Sequence, residues 1–457
     1  MKLSRKLCVP LLSAAACLGM LSAALAASPS GPARDKNVVV EVINGADLLK
    51  SRSGGTLQMP VYSKQISLTS YGPPVQVQFD NNQGQWGGAG RNQVPLWTYD
   101  VQKAGRDGLN HVGALVGTNP FWRKTTSRVP VVIVPLIVTT QEVATGIENV
   151  APSDGDSDDG TELVFSETAG TVTQNSAVPD TNCLGTSNNV PSTLLYQSPI
   201  FQNAPFSFGG TFMGNTQYID AVQRAEFYHV LDDDPGNYHV LFSPVRIVSP
   251  ISITVPANEG LAAPPGIFGT CNTVQFLDIN WFDSYINGTI LPQLAREGIG
   301  AGTIPVFFLY NTNLASPANV LSNCCVLGYH SFAGEPTPSQ FYAVAEMDVS
   351  GLFPPAIENT GVLAHEMGEL VNDPYGDNEV PPWGHIGQVG GCQENLEVGD
   401  PLTGTGMPPV TMPNGFTYQL QELAFFSWFF GGQSLGVHGW FSSNGTFTGD
   451  AGPVCGG

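Results

Sequence analysis

In the stretch LAHEMGELVNDP, residues 363–374, His365 is followed at once by Glu366 and, four residues on, by Glu369. Metal-assisted hydrolysis often uses H-E-x-x-H on a helix, where two imidazoles one turn apart hold the ion and the glutamate handles the proton. Here a carboxylate stands where the second imidazole would be. A neutral imidazole and carboxylates are all competent ligands for a divalent cation. On a helix His365, Glu369 and Asp373 fall at i, i+4 and i+8 and so form one stripe, with Glu366 about 100° further round. These three are therefore assigned as ligands and Glu366 as general base. The cation lowers the pKa of a bound water, and Glu366 takes its proton and passes it to the leaving amine.

A ligand from elsewhere must complete such a site. The segment CQENLEVGDP, 392–401, offers Glu394, Glu397 and Asp400, and Glu397 or Asp400 is expected within ligand reach of His365. His330, in LGYHS, is a further candidate, as a ligand or as a contact to substrate or transition state. Zinc is the expected ion. Calcium is the alternative, because Glu369 adds negative charge and a hard donor. His385 is read as a loop residue, and His229 and His239 as structural residues flanking a turn.

The elements that must hold these groups are legible as local patterns. Asn359 or Thr360 can cap a helix that Pro374 closes, and Val362, Met367, Leu370 and Val371 give it an apolar side. Upstream, 276–298 has helical spacing with Pro292 bending it, while 303–312, 323–334 and 341–351 read as strands. In the first half, VPVVIVPLIVTT (129–140) is a β-branched run to be buried on both faces, PVRIVSPISITVP (244–256) repeats its character, and PVQVQFD (74–80) alternates. One helix is expected over 216–231. The acidic run SDGDSDDGTE (153–162) reads as a solvated loop; as a calcium loop its glycine is one place late for an EF-hand.

Composition narrows the partners. With 17 basic against 38 acidic residues the formal charge is −21, which leaves no basic patch for nucleic acid or an anionic membrane. A basic start, MKLSRK, an apolar run to Leu25 and the triplet Ala24-Leu25-Ala26 read as a secretory signal peptide over 1–27. No later stretch is apolar for long enough to span a bilayer. Six cysteines follow the signal, an even number suited to disulfides in an oxidising compartment. Cys183 is expected to pair with Cys271. Cys324 and Cys325 are expected not to pair with each other, one of them reaching Cys392. No G-x-S-x-G elbow marks a serine nucleophile.

Taken together, alanine before H-E-x-x-E, then Asp373-Pro374, Trp383 and Glu397-Val-Gly-Asp400 resemble a group of exported microbial proteins with a zincin-like, metallopeptidase-like domain. LGYHS behind a cysteine pair fits the same group, and a more distant similarity is to plant exordium-type cell-wall proteins. The resemblance covers about residues 300–457. It implies a zincin-like α+β domain with an active-site helix (256–457); the rest is read from pattern alone, a signal peptide (1–27), an N-terminal arm (28–60) and a β-rich domain (61–255), so the fold class expected is α+β. The function expected is that of a secreted metal-dependent endopeptidase acting on protein or peptide. The alternative is a non-catalytic secreted or cell-surface binding protein that keeps the zincin-like fold, with or without a structural ion.

Overall fold

A long apolar strand organises the molecule. The computed structural model describes residues 93–455, apart from short internal stretches of which 151–161 is the longest, together with two strands further upstream. Those two are β1 (Lys36–Ile43) and β2 (Val61–Leu68). The organising strand is β3 (Thr126–Val143), followed by β4 (Thr168–Asn175), helix α1 (Tyr218–Glu226), β5 (His239–Ile247), β6 (Ile251–Thr254), β7 (Gly260–Ala263) and β8 (Val274–Asp278). Helices α2 (Ile279–Tyr285) and α3 (Leu291–Arg296) come next, then β9 (Ile304–Tyr310), β10 (Thr312–Ala315), β11 (Cys324–Val326), β12 (Gly328–Ala333), β13 (Gln340–Met347) and helix α4 (Gly361–Asn372).

These thirteen strands form one mixed sheet, in the order β12-β13-β9-β3-β7-β8-β10-β11-β1-β2, with β4, β5 and β6 also paired to β3; the other described strands form separate two-stranded sheets. The central pairings β3–β9 and β9–β13 are parallel, with Val306 opposite Ile133 and Ala343 opposite Val306. Strands so placed are covered on both faces, which is why they read as unbroken apolar runs. Val129, Val131 and Ile133 of β3 enter the core on one side with α1 and α4. Val132, Val134, Leu136 and Val138 enter the other, with α2 and α3. Alternation of side chains along each strand makes this division.

This architecture overturns the expected fold class. Among the described residues the chain is strand-rich, with far more strand than helix. It is not a β-rich N-terminal part followed by a zincin-like α+β domain with an active-site helix, because β3 from the first half lies between β9 and β7 from the second. The physical reason is that pairing between distant strands leaves no local periodicity in the sequence.

Individual elements agree more closely. The expected helices over 216–231 and 360–373 appear as α1 and α4. The bend anticipated at Pro292 is a one-turn π segment, Ile286–Ile290, running into α3, which carries the proline in its first turn. The start of the expected N-terminal arm is tied to the sheet, with β1 pairing β2 along its length and β11 at Val42–Val326. The signal peptide, residues 74–80, the acidic run as far as residue 161 and His385 lie outside the described residues.

Three cysteine pairs stand at disulfide distance. Cys183–Cys271 is as expected. The other two correct the expectation: Cys324 is joined to Cys325, and Cys392 to Cys455. Cys324 and Cys325 are buried in the strand beside β10, and Cys392 lies on a separate two-stranded sheet with Glu379–Gly384. Among the described residues no helix is long and apolar enough to cross a membrane.

Candidate metal centre

Helix α4 lies over β12 and β13, and every one of its residues is buried. It has no side-chain cap at Thr360, so tertiary packing rather than capping holds it. Phe332 of β12 faces the same core as α4, while Tyr329 faces the opposite one. Period two therefore turns His330 toward the helix. The close approach requires glycine at 328, since a Cβ there would lie 2.7 Å from Val362 Cγ1 and 2.8 Å from Glu366 Cγ.

Two groups of ligand atoms result, each within 4.8 Å of one another: His365, Glu369 and Asp400, and His330, Glu366 and Glu369. His365 Nε2 is 3.0 Å from Glu369 Oε2 and 3.6 Å from Asp400 Oδ1. His330 Nδ1 is 3.6 Å from Glu366 Oε2 and 3.8 Å from Glu369 Oε2. Ligands about 2.0–2.2 Å from one ion sit roughly 3–3.5 Å apart at octahedral or tetrahedral angles; the His365–Glu369 separation lies in that range and the others a few tenths of an ångström beyond it, so small inward shifts of the side chains would close each group around a cation. The expected reach from Asp400 to His365 is present.

The surrounding residues orient the ligands. The Gln421 side-chain amide meets His365 Nδ1, its Oε1 at 3.2 Å and Nε2 at 2.9 Å, and donates to the Gly399 carbonyl at 2.8 Å. An Nδ1–H directed at Gln421 Oε1 gives the tautomer a ligand needs, with the Nε2 lone pair toward the carboxylates. Gln393 Nε2 donates to Asp400 Oδ2 at 2.7 Å and leaves Oδ1 toward His365. His330 Nε2 lies 2.8 Å from the Asp373 carbonyl. A carbonyl only accepts, so the proton is on Nε2 and the Nδ1 lone pair faces Glu366 and Glu369.

Glu369 answers the question its position raises. The N–H groups of Gly399 and Asp400 both donate to its Oε1, at 3.0 and 3.2 Å, while Oε2 faces the imidazoles. A histidine has one acceptor at most in its neutral ring and cannot serve two amides and a cation together. The carboxylate is needed to tie the 399–400 loop to α4.

Two expected ligands are placed differently. Asp373 ends α4, and its carboxylate accepts from the N–H groups of Asp377 and Asn378 at 3.0 Å each; it belongs to neither ligand group. Glu397 accepts from Asn395 at 3.0 Å through Oε1, and its Oε2 is 3.9 Å from His330 Nε2. Gln421, Gln393 and Gly399 were not singled out from sequence. Amides and glycines carry no spacing signal, and Gln421 lies 56 residues from its partner His365.

The electrostatics follow from burial. Glu366, Glu369, Asp373, Glu397 and Asp400 are each at most 1% exposed, with His330 at 8% and His365 at 1%. Five carboxylates beside two imidazoles cannot all be ionised out of water without added positive charge. Burial, then Glu369, Asp373, Asp400 and Glu366, pushes Glu397 well above the carboxylate range. Burial and Asp377 push Asp373 up to about 7. Burial would raise Glu369 too, but His365, His330 and the Gly399 N–H outweigh it and hold its carboxyl low. The cluster is thus built to be completed by protons or by a cation.

No family model, no curated protein and no solved structure matches this chain.

Proposed function

We propose that the protein is an exported, metal-dependent hydrolase of peptide bonds. The observation that carries this reading is the convergence, in a buried place, of His365 Nε2, Glu369 Oε2 and Asp400 Oδ1 at cation-sharing distances. A divalent cation there would act as Lewis acid and lower the pKa of a water. Glu366, the next side chain after His365, receives the water's proton and returns it to the leaving amine. Gln421 and Gln393 keep His365 and Asp400 aimed. Nitrogen and oxygen ligands with no thiolate suit zinc, and the carboxylate share admits calcium. Export is supported by the basic-then-apolar N-terminus and by three cysteine pairs at disulfide distance. Peptide as substrate rests on the sequence order, an H-E helix followed by a downstream carboxylate.

One observation favours a second reading, a secreted binding protein with a structural ion: no carboxylate of the cluster exceeds 1% exposure. Metal analysis of the purified protein joined to a casein assay from acid to neutral pH separates the two. Hydrolysis predicts that Glu366→Gln keeps the tight ion while turnover falls by about 10²-fold or more, and that His365→Ala loses both. The binding reading predicts no hydrolysis in the parent and a silent Glu366→Gln. A parent that binds no metal defeats both.

A further inference from the structure

We infer that the centre holds a second divalent cation, bound by His330 Nδ1, Glu366 and Glu369, with Glu369 Oε2 bridging the two ions. The inference rests on the single-ion reading above and extends it.

The two ligand groups share Glu369 and nothing else, and no group among the described residues includes both histidines. One ion therefore cannot take all the ligands. Glu369 is fixed for the bridging role: its Oε1 is occupied by the N–H groups of Gly399 and Asp400, so the same Oε2 faces His365 Nε2 at 3.0 Å and His330 Nδ1 at 3.8 Å. The ring of His330 is likewise fixed, since Nε2–H is given to the Asp373 carbonyl. That leaves a lone pair aimed between two carboxylate oxygens at 3.6 and 3.8 Å, too long for hydrogen bonds and within a few tenths of an ångström of the spacing of ligands on a common ion. A further buried group points to missing positive charge here. Glu397 Oε2 has no hydrogen-bond partner and lies 3.9 Å from the same imidazole. Paired ions in carboxylate-rich centres stand about 3.5–4 Å apart, a spacing that a single bridging oxygen provides.

The second position uses Glu366, so filling it removes the proton acceptor of the single-ion form. Two occupancies follow: a tight first ion that supports hydrolysis, and a weaker second that silences it.

The test uses manganese(II) as the probe on the intact, oxidised protein. After equilibrium dialysis, elemental analysis should give two ions per chain at saturation, and low-temperature electron paramagnetic resonance should show a spin-coupled pair. Glu366→Gln and His330→Gln should each hold one ion with an isolated-ion spectrum. Saturation of the parent at one ion, or two ions without spin coupling, overturns the inference, and this measurement needs no variant to fold. Coupled ions at saturation, in a protein that cleaves no peptide even when loaded with a single ion, would leave the second site standing and remove the hydrolase reading. One isolated ion in an active hydrolase would do the reverse.

Discussion

Gln421 acts on the candidate centre only through His365, whose ring it holds from the side away from the carboxylates. Such outer partners commonly contribute 10–100-fold to metal affinity. We expect Gln421→Ala to weaken the tight ion by about that factor in a chelator competition, with little change in the far-ultraviolet circular dichroism. Glu369→His, which would restore the usual two-histidine helix, should make matters worse. It would leave the amides of Gly399 and Asp400 without their acceptor, and each buried unsatisfied donor costs about 1–3 kcal/mol. Equal or higher stability and metal affinity in Glu369→His would show that the 399–400 loop does not depend on that carboxylate.

At the scale of elements, the site exists because two segments, β12 at Gly328 and the 399–400 loop at Gly399, approach α4 without side chains in the way. A Cβ on Gly399 would lie 2.5 Å from His365 Nδ1, inside contact distance of the ring. The 399–400 loop can rest on that imidazole only as glycine. Gly399→Ala should therefore destabilise the fold by about 1–3 kcal/mol, the usual range for overpacking, and should also lose the tight ion because the ring must turn. Chemical denaturation and metal content together check this; a variant that keeps both would mean the loop has room to move. The far end of α4 is set by Asn378. It donates to the carbonyls of Asn372 and Ala114 and accepts from the Ala114 N–H, so it ties the helix end to the strand His111–Val116.

For the whole molecule, the strongly acidic balance meets a set of carboxylates that resist ionisation. Glu226 is fully buried, accepts the Phe426 N–H, and is pushed from 4.5 up to about 8 by burial. Asp373 rises to about 7 from burial and Asp377. An acid whose folded pKa lies above its unfolded value contributes stability that is complete below the unfolded value and is lost as pH rises through the folded one. The metal-free protein should accordingly be most stable near pH 4–5 and weaken toward pH 8, by a few kcal/mol at about 1.4 kcal/mol per pKa unit. Glu226→Gln should flatten that slope in denaturant titrations; an unchanged slope would remove Glu226 from the account. Added zinc or manganese should restore stability at neutral pH, by about 2.7 kcal/mol at a hundredfold excess over Kd, and a chelator should remove the gain.

Much of this was fixed by residues close together in the chain. The spacing of His365, Glu366 and Glu369 on one helix needs only the 3.6-residue turn and a closing Pro374. The double-sided burial of 129–140 needs only its unbroken β-branched run. Asp400 reaches His365 across a separation short enough for the sequence to suggest it. Three decisions belonged to the tertiary structure. Strand β3 pairs with β9 more than 160 residues later, as between Ile133 and Val306, because a two-faced apolar strand must be flanked by others whatever their place in the chain. Cys392 pairs with Cys455 rather than with the 324–325 pair because its strand joins a separate small sheet. Asp373, on the same stripe as His365 and Glu369, turns instead to the amides of Asp377 and Asn378, since the chain leaves the helix at that residue and the N–H groups of the following turn, taken out of water, need an acceptor there.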